Sequence, residues 1–169
     1  MSNDAKPLIR PARTTDVPII KAFVDGYAND RILLGKASVT LYEDVQEFVV
    51  AELDGAVVGC GALHVMWQDL AEVRTLAVAP EVRGRGVGAA LLTALLDRAR
   101  AVGVERVFCL TFETSFFAGH GFVEIAGAPV DHDVFVQLLQ SYDDGVAEFL
   151  DLERVKPNTL GNTRMLRIL

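Results

Sequence analysis

The sequence predicts a single α/β domain over residues 1–169, and two local patterns and the chain length support this class. Two β-rich runs, 48–53 and 56–65, are joined by Asp54-Gly55, a dipeptide typical of tight hairpins. Further along, a glycine-rich turn joins a strand-like run to a helix-like run at 89–102. A chain of 169 residues is long enough to bury a substantial core in one domain.

The other elements are predicted in chain order from the same signals. The first helix has Thr14 and Thr15 as candidate N-caps and Pro18 in its first turn, and its apolar residues recur at helical spacing. Residues 1–7 are expected to form a disordered tail. The predicted helices are 17–27, 39–45, 89–102, 115–119 and 131–142. The predicted strands are 8–12, 48–53, 56–65, 71–78, 104–110, 122–125 and 165–169.

The helix after the glycine-rich turn has a well-defined amphipathic pattern. Gly103 follows it as a natural C-terminal stop. Packed on the sheet by its apolar face, this helix would hold its N-terminus in a fixed place. The predicted apolar face is Leu91, Leu92, Leu95, Leu96, Ala99 and Val102.

Composition and charge argue against several classes of protein. Hydrophobic residues make up 51% and charged residues 23%, as in globular proteins. The chain has no apolar run of about 18 residues and no signal-peptide pattern at residues 1–6, so we expect no membrane partner. The net charge of −7 argues against nucleic acid as a partner. Cys60 and Cys109 lie in apolar runs, which favours reduced thiols and a cytoplasmic location, and no cluster has metal-ligand spacing, so no metal is expected.

The most informative stretch is the basic, glycine-rich turn Arg83-Gly84-Arg85-Gly86-Val87-Gly88. The first amides of the helix that follows lack acceptors, and the helix dipole adds positive charge there. Glycines let those amides approach an anion, and the arginines add charged donors. In an acidic chain this turn predicts a phosphate-binding site. The alternative is an ordinary strand–turn–helix connection with solvated arginines.

Two common phosphate-binding motifs do not fit this turn. A dinucleotide fold expects it early in the chain, with an acidic residue about 20 residues on, whereas here the stretch near Glu105 opens a strand. The P-loop pattern fails because no Gly-Lys-Ser/Thr follows. The pattern R-x-x-G-x-G, formed by Arg83, Gly86 and Gly88, resembles the acetyl-CoA loop of the GCN5-related N-acetyltransferases. Its flanks agree with this resemblance: Leu76-Ala77-Val78 before the turn and Phe117-Ala118-Gly119-His120-Gly121-Phe122 after it.

The resemblance implies a fold, a cosubstrate and a set of binding residues. The expected fold is a mixed, mostly antiparallel sheet of about six to seven strands with flanking helices. A β-bulge in strand four would splay it from strand five. The cosubstrate is acetyl-CoA, whose pantetheine arm would pair with the strand-four backbone. Phe117 stands where many members carry a Tyr, which leaves the general-acid role vacant. The expected cofactor-binding residues are Leu76, Ala77, Val78, Arg83, Gly84, Arg85, Gly86, Val87, Gly88 and Phe117.

Two polar residues near the expected splay are catalytic candidates. An amine must be neutral to attack a thioester, and Glu72 on strand four could take its proton, although a solvated strand residue is the alternative. Thr111, at the end of strand five, could donate to the leaving thiolate, and a hydroxyl bonded to the backbone is the equal alternative. His120 is interpreted as an exposed turn residue. Direct transfer is expected, because Cys109 fits a core strand better than a nucleophile.

Further segments narrow the resemblance to the acetyltransferase domain of N-acetylglutamate synthase, in a short form without an amino-acid-kinase domain. The resemblance runs from about residue 8 to residue 169. It assigns the base role to Glu72 and places Thr111 near the thioester sulfur. The segments that carry it include Ile32-Leu33-Leu34-Gly35-Lys36, Glu72-Val73-Arg74-Thr75-Leu76-Ala77-Val78 and Gly161-Asn162-Thr163-Arg164-Met165-Leu166.

This narrower resemblance implies acetylation of the α-amine of L-glutamate or L-glutamine, the first step of arginine biosynthesis. Lys36 lies where longer synthases carry paired arginines, one of which is Gly35 here. Arg74 would replace the missing charge. A homodimer is left open. The expected substrate-binding residues are Lys36, Arg74, Asn162, Thr163 and Arg164.

Two rival functions share the glycine-rich turn. An acetyltransferase for protein N-termini, lysines or polyamines would not need Lys36, Arg74 and Arg164 together. A non-catalytic acyl-CoA-binding module would keep the turn and lose the base, so Glu72 argues against it.

Overall fold

The computed structural model describes residues 5–29, 35–152 and 161–169, and a seven-stranded sheet lies at its centre. The strands are β1 (Leu8–Pro11), β2 (Phe48–Leu53), β3 (Ala56–Trp67), β4 (Leu70–Val78), β5 (Arg106–Thr111), β6 (Val123–Glu124) and β7 (Thr163–Ile168). The α-helices are α1 (Val17–Asn29), α2 (Ser38–Glu43), α3 (Val87–Ala101), α4 (Thr114–Ala118), α5 (His132–Leu138) and α6 (Asp144–Phe149). Short 3₁₀ turns cover Thr14–Asp16, Val45–Glu47 and Pro80–Val82.

The sheet order is β1-β2-β3-β4-β5-β7-β6, and among the described strands only β4 and β5 are parallel neighbours. Their ladder joins residues 70–72 to residues 106–108 and then ends, although both strands continue. The two strands therefore separate beyond Glu72. This confirms the expected mixed, mostly antiparallel sheet with a splay between the fourth and fifth strands.

A β-bulge in β4 lies just beyond the point where the two strands separate. The register with β3 shifts there, so that Thr75 and Leu76 together lie opposite Gly61. Thr75 has φ of 57°, a left-handed conformation that is uncommon for a β-branched residue. A bulge of this kind bends the strand and increases its local twist. It accounts for the separation of β4 from β5.

Helices cover both faces of the sheet, and the alternation of side chains along the strands separates the two faces. On one face α3 packs over β2, β3 and β4. On the other face α1 and α2 cover the β2–β3 side, while α5 and α6 cover the β4–β5 side.

Three expectations need correction. Val102 is 61% exposed instead of part of the apolar face, because α3 ends at Ala101 and Gly103 turns the chain with φ of 90°. The predicted helix 131–142 stops at Leu138. The sequence prediction contained no element at α6, which Asp143 caps by accepting a hydrogen bond from Val146 N.

Two expected segments lie partly outside the described ranges: the 1–7 tail, of which residues 5–7 are described, and the 32–36 connector, of which residues 35 and 36 are described. None of the helices in the described ranges has the length and apolar character needed to cross a membrane.

Candidate active site

The glycine-rich turn adopts the backbone that an anion site at a helix N-terminus requires. Gly84 and Gly86 both have φ of 78°, a conformation in which a side chain is strained. Gly86 is the N-cap of α3, and Ala90 N donates to Gly86 O at 3.0 Å. The amides of residues 86–89, including those of Val87 and Gly88, precede this bond and lack acceptors within the helix. These are the backbone amides that the sequence analysis predicts to bind a phosphate group.

Tyr27 on α1 connects this turn to the end of β4. Its hydroxyl donates to Val78 O at 3.0 Å and accepts from Arg83 Nη2 at 2.9 Å. The Arg83 guanidinium also lies 5.9 Å from the Tyr27 ring centroid. Arg83 and Arg85 are both exposed. Tyr27 therefore orients the Arg83 guanidinium at a place that an anion from solution can reach. The sequence prediction missed Tyr27, because 51 residues separate it from Val78.

The edge of β4 beyond the splay carries the backbone groups assigned to the pantetheine arm. Because the ladder with β5 ends at Glu72, residues 74–78 border the gap on that side. Leu76, Ala77 and Val78 lie in this stretch, which brings them between Glu72 and the glycine-rich turn.

Phe116 lies beside the start of α3, and it is less buried than the neighbouring Phe117. The Phe117 ring is buried in the core, with its centroid 5.2 Å from that of Phe122. A Cβ added to Gly88 would lie 3.6 Å from the Phe116 ring. Phe116 is therefore the aromatic side chain placed to contact a ligand at this end. Nothing in the sequence distinguished it from the neighbouring Phe117.

Glu72 is buried where β4 and β5 separate, and Arg74 holds one of its oxygens. The Glu72 residue is 4% exposed. Its Oε2 accepts hydrogen bonds from Arg74 Nη2 at 2.8 Å and from Arg74 Nε at 3.1 Å. Within the described part of the chain no hydrogen bond ends on Oε1, which leaves that oxygen able to accept a proton.

Arg74 also fixes α6 over the sheet. Its Nη1 donates to both carboxylate oxygens of Asp143, at 2.8 and 2.9 Å. Although burial acts in the opposite direction, the Arg74 cation lowers the pKa of Asp143. A Cβ built on Gly145 would lie only 2.5 Å from Arg74 Cζ, so the guanidinium packs against bare helix backbone. The structure therefore places Arg74 in a buried network with two carboxylates, and does not present it as an unpaired cation for a substrate.

Arg164 on β7 fixes the other end of α6. Its Nη2 donates to Glu148 O at 2.9 Å, and its Nη1 donates to Phe149 O at 2.8 Å and to Gly127 O at 3.0 Å. A cation at the last carbonyls of a helix satisfies acceptors that have no helical donor. Arg164 thus contacts backbone carbonyls, and two of the three cations assigned to the substrate serve to hold α6.

The other predicted site residues lie on or next to β5 and β7, across the splay from β4. Thr111 lies opposite Thr163 in the β5–β7 ladder, and its hydroxyl accepts from Glu113 N at 2.8 Å. That bond uses a lone pair and leaves the hydroxyl hydrogen available. Asn162, next to Thr163, has a buried Oδ1 without a hydrogen-bond partner among the described residues. A buried unsatisfied acceptor of this kind is costly, so it is a good candidate for a ligand contact.

Comparison with known proteins agrees with this geometry. Residues 21–127 match the Acetyltransferase (GNAT) family. The chain belongs to the GNAT family. The "Amino-acid acetyltransferase" of Mycobacterium tuberculosis is 60% identical over 169 residues, which cover 98% of this chain and 97% of that protein. An "Uncharacterized N-acetyltransferase CT2212" of Chlorobaculum tepidum is 37% identical over 125 residues, covering 72% of this chain and 78% of that protein.

Two solved structures are similar to this one. Rv2747 from M. tuberculosis, in complex with CoA and NLQ, has a TM-score of 0.94 and 61% identity, with 96% of this chain and 99% of that chain covered. N-acetylglutamate synthase from Neisseria gonorrhoeae, complexed with CoA and N-acetyl-glutamate, has a TM-score of 0.77 and 28% identity. This chain spans 35% of that longer protein. The expected acetyl-CoA-dependent acyltransferase of GNAT fold is confirmed.

The cysteines of this GNAT chain are unsuited to forming an acetyl-enzyme. Burial raises the pKa of the Cys60 thiol to about 12. Burial, followed by the charge of Glu72, raises the pKa of the Cys109 thiol still further. Thiolates are therefore disfavoured at both positions near neutral pH. No group of three or more metal-ligand side chains occurs in the described ranges.

Glu148 on α6 is a further buried acidic group near Glu72, which the sequence prediction missed. It is 8% exposed, and burial, followed by the charge of Glu72, raises its pKa to about 7. Lys36 lies within electrostatic range of Glu148 and forms no ion pair within the described ranges. The signal for this helix was available: Asp143 as an N-cap followed by apolar residues at 146, 149 and 150.

Proposed function

We propose that this chain transfers the acetyl group of acetyl-CoA directly to the α-amine of L-glutamate or L-glutamine. The observation that carries the proposal is the place of Glu72, buried where β4 and β5 separate, with one carboxylate oxygen that accepts no hydrogen bond from the residues the structure describes. The names of the relatives support the substrate class. The M. tuberculosis protein is an amino-acid acetyltransferase, and the N. gonorrhoeae protein is complexed with N-acetyl-glutamate.

The two ends of the site have separate tasks in this reaction. The amides of residues 86–89, with Arg83 and Arg85, would bind the pyrophosphate of acetyl-CoA. The edge of β4 at 76–78, which does not pair with β5, would hold the pantetheine arm beside the Tyr27–Val78 hydrogen bond and bring the thioester to the splay. Pairing through backbone groups requires no particular side chain at these positions, which fits their apolar character.

Glu72 Oε1 would take a proton from the ammonium group of the amino acid. The neutral amine then attacks the thioester carbonyl, and the carbon–sulfur bond breaks as the new amide forms. The second amine proton goes to the departing thiolate, with the Thr111 hydroxyl as its hydrogen-bond donor. Lys36 and Asn162 are the described residues that we assign to the amino acid, since Arg74 and Arg164 are held by α6.

We also propose that residues 1–169 act as one N-acetyltransferase domain. The small molecules acetyl-CoA and amino acid are its proposed partners, arginine biosynthesis its pathway and the cytoplasm its location. The pathway rests on the resemblance to the synthases, the single domain on the chain length, and the location on the two cysteines in apolar runs.

One observation favours a second candidate, acetylation of a polyamine or lysine. Three carboxyl groups, those of Glu72, Asp143 and Glu148, lie close together, and the one guanidinium of Arg74 pairs with the first two. A cluster of carboxyl groups that exceeds its paired cations attracts a substrate with an additional positive charge.

A thiol-release assay separates the two candidates. The purified chain is mixed with acetyl-CoA and a panel of amino acids, polyamines and lysine peptides, and free CoA is measured. We expect release with glutamate or glutamine and background release with polyamines. Release with polyamines alone would overturn the amino-acid assignment, and no release with any amine would overturn both.

A further inference from the structure

Acetylation of an amino acid produces a proton that has to leave the site. The amino group enters as an ammonium ion and loses one proton before the attack and a second one as the amide forms. The thiolate takes one of them. The other remains on the base and must reach solvent before the next turnover. This requirement rests on the proposed function and is independent of which amino acid is bound.

Glu72 is too enclosed to exchange this proton with bulk water easily. Its side chain is 5% exposed, and the Arg74 guanidinium covers Oε2. A neighbouring group that is both basic and more exposed would supply a route out. The described residues offer such a group on the adjacent strand.

His64 on β3 is the direct cross-strand neighbour of Glu72. The antiparallel register of β3 and β4 pairs these two residues, and it is regular from Ala62 to Val65. Directly opposed residues project from the same face of a sheet, with Cβ atoms about 4.5–5.5 Å apart. The His64 side chain is 19% exposed, against 5% for Glu72, so the imidazole has more contact with solvent than the carboxylate.

Glu47, in the 3₁₀ turn before β2, holds the His64 ring. The distance from His64 Nδ1 to Glu47 Oε1 is 2.7 Å. With Nδ1–H donated to this carboxylate, Nε2 carries the free lone pair that can accept a proton. The same carboxylate stabilises the imidazolium ion once the proton has arrived. The charged groups around the ring are Glu47, Asp44, Asp143, Glu72 and Arg74.

We propose that His64, held by Glu47, relays the proton from Glu72 to solvent. The proton passes from Glu72 Oε1 to His64 Nε2, directly or through one water molecule, and Nε2–H then releases it to bulk water. This step regenerates the Glu72 carboxylate and the neutral His64 imidazole, and the proton goes to bulk water. His64 contacts neither the amine nor the thioester in this scheme, and its effect is therefore on turnover.

The relay is tested with His64→Gln, which keeps a donor for Glu47 and removes proton exchange. The experiment measures kcat and KM with saturating acetyl-CoA in a weak, bulky buffer, with and without millimolar imidazole. We expect kcat to fall about tenfold or more with KM changed less than about twofold, and imidazole to restore most of the loss. Glu47→Gln should show a smaller loss of the same kind. His132→Gln, at an exposed histidine at the start of α5, is the matched control and should be unaffected.

Several outcomes would overturn the relay. They are a wild-type kcat in His64→Gln, a loss that imidazole does not restore, or a rise in KM at unchanged kcat, which would assign His64 to substrate binding. If His64→Gln does not fold, Glu47→Gln alone carries the test, with the same outcomes. A wild-type chain that acetylates no amino acid would instead overturn the proposed function, and the relay is then tested with whichever amine is accepted.

Discussion

The proposed cofactor end and the proposed amine end of this site use different kinds of chemical group. At the cofactor end the key donors are backbone amides, and the residues from Arg83 to Gly88 are contiguous. At the amine end the key groups are side chains from β3, β4, α6 and β7, assembled by ion pairs and a helix cap. A contiguous backbone motif can be identified from sequence alone. Which side chains satisfy one another across the fold has to be seen in three dimensions.

The largest effect is expected at the amine end. Glu72→Gln keeps the shape and the Arg74 hydrogen bond but removes the base. General-base loss typically lowers kcat by about 10²–10⁴, with KM for the amino acid little changed. Steady-state kinetics at neutral pH measures this. A fall of less than about tenfold would mean that another group accepts the proton.

The next effect concerns how α6 is held. Gly145→Ala places a Cβ within 2.5 Å of Arg74 Cζ and must displace the guanidinium from Glu72 and Asp143. Breaking a buried ion pair costs about 3–5 kcal/mol, and we expect a loss of this order in unfolding free energy together with a fall in kcat. Gly26→Ala is the control, because nothing lies within 4 Å of a Cβ there.

A double-mutant cycle sharpens this prediction. In an Arg74→Gln background the guanidinium is already absent, so Gly145→Ala should add little further loss in unfolding free energy or kcat. Additive losses would show that Gly145 matters for the helix itself and not for its contact with Arg74.

For Arg74 and Arg164 the observed partners differ from those that the sequence analysis predicted. The splay, the bulge and the glycine-rich turn were all expected, because local patterns and the resemblance identify them. The prediction also took both arginines to be free for substrate, because it contained no α6 to occupy them. Once Asp143, Gly145 and the carbonyls of residues 148 and 149 are in place, both guanidinium groups have protein partners.

A smaller effect is expected from Glu148, and it depends on pH. Its pKa is raised from 4.5 to about 7 in the folded protein. Between these values only the folded chain keeps the proton, so stability falls as pH rises through this window. Glu148→Gln should therefore be more stable than the wild type by about 1–3 kcal/mol above pH 7, and the gain should vanish towards pH 4.5. Denaturant unfolding across this range measures it, and a gain independent of pH would contradict the raised pKa.

The smallest effect on stability is expected at the cofactor end. Gly86→Val puts a β-branched residue at φ of 78° and costs on the order of 1–2 kcal/mol, as should Gly103→Val at φ of 90° at the other end of α3. The two variants should differ in CoA binding, which calorimetry measures. Gly86→Val should lose at least about tenfold in affinity, because its side chain covers the helix amides, and Gly103→Val should lose none.

The separation of the two ends is tested most directly by measuring CoA affinity and kcat together in Glu72→Gln and Gly86→Val. The account predicts that Glu72→Gln binds CoA like the wild type and turns over slowly. It also predicts that Gly86→Val binds CoA weakly and recovers a near wild-type kcat when acetyl-CoA is saturating. Wild-type turnover in Glu72→Gln, or wild-type CoA affinity in Gly86→Val, would contradict it.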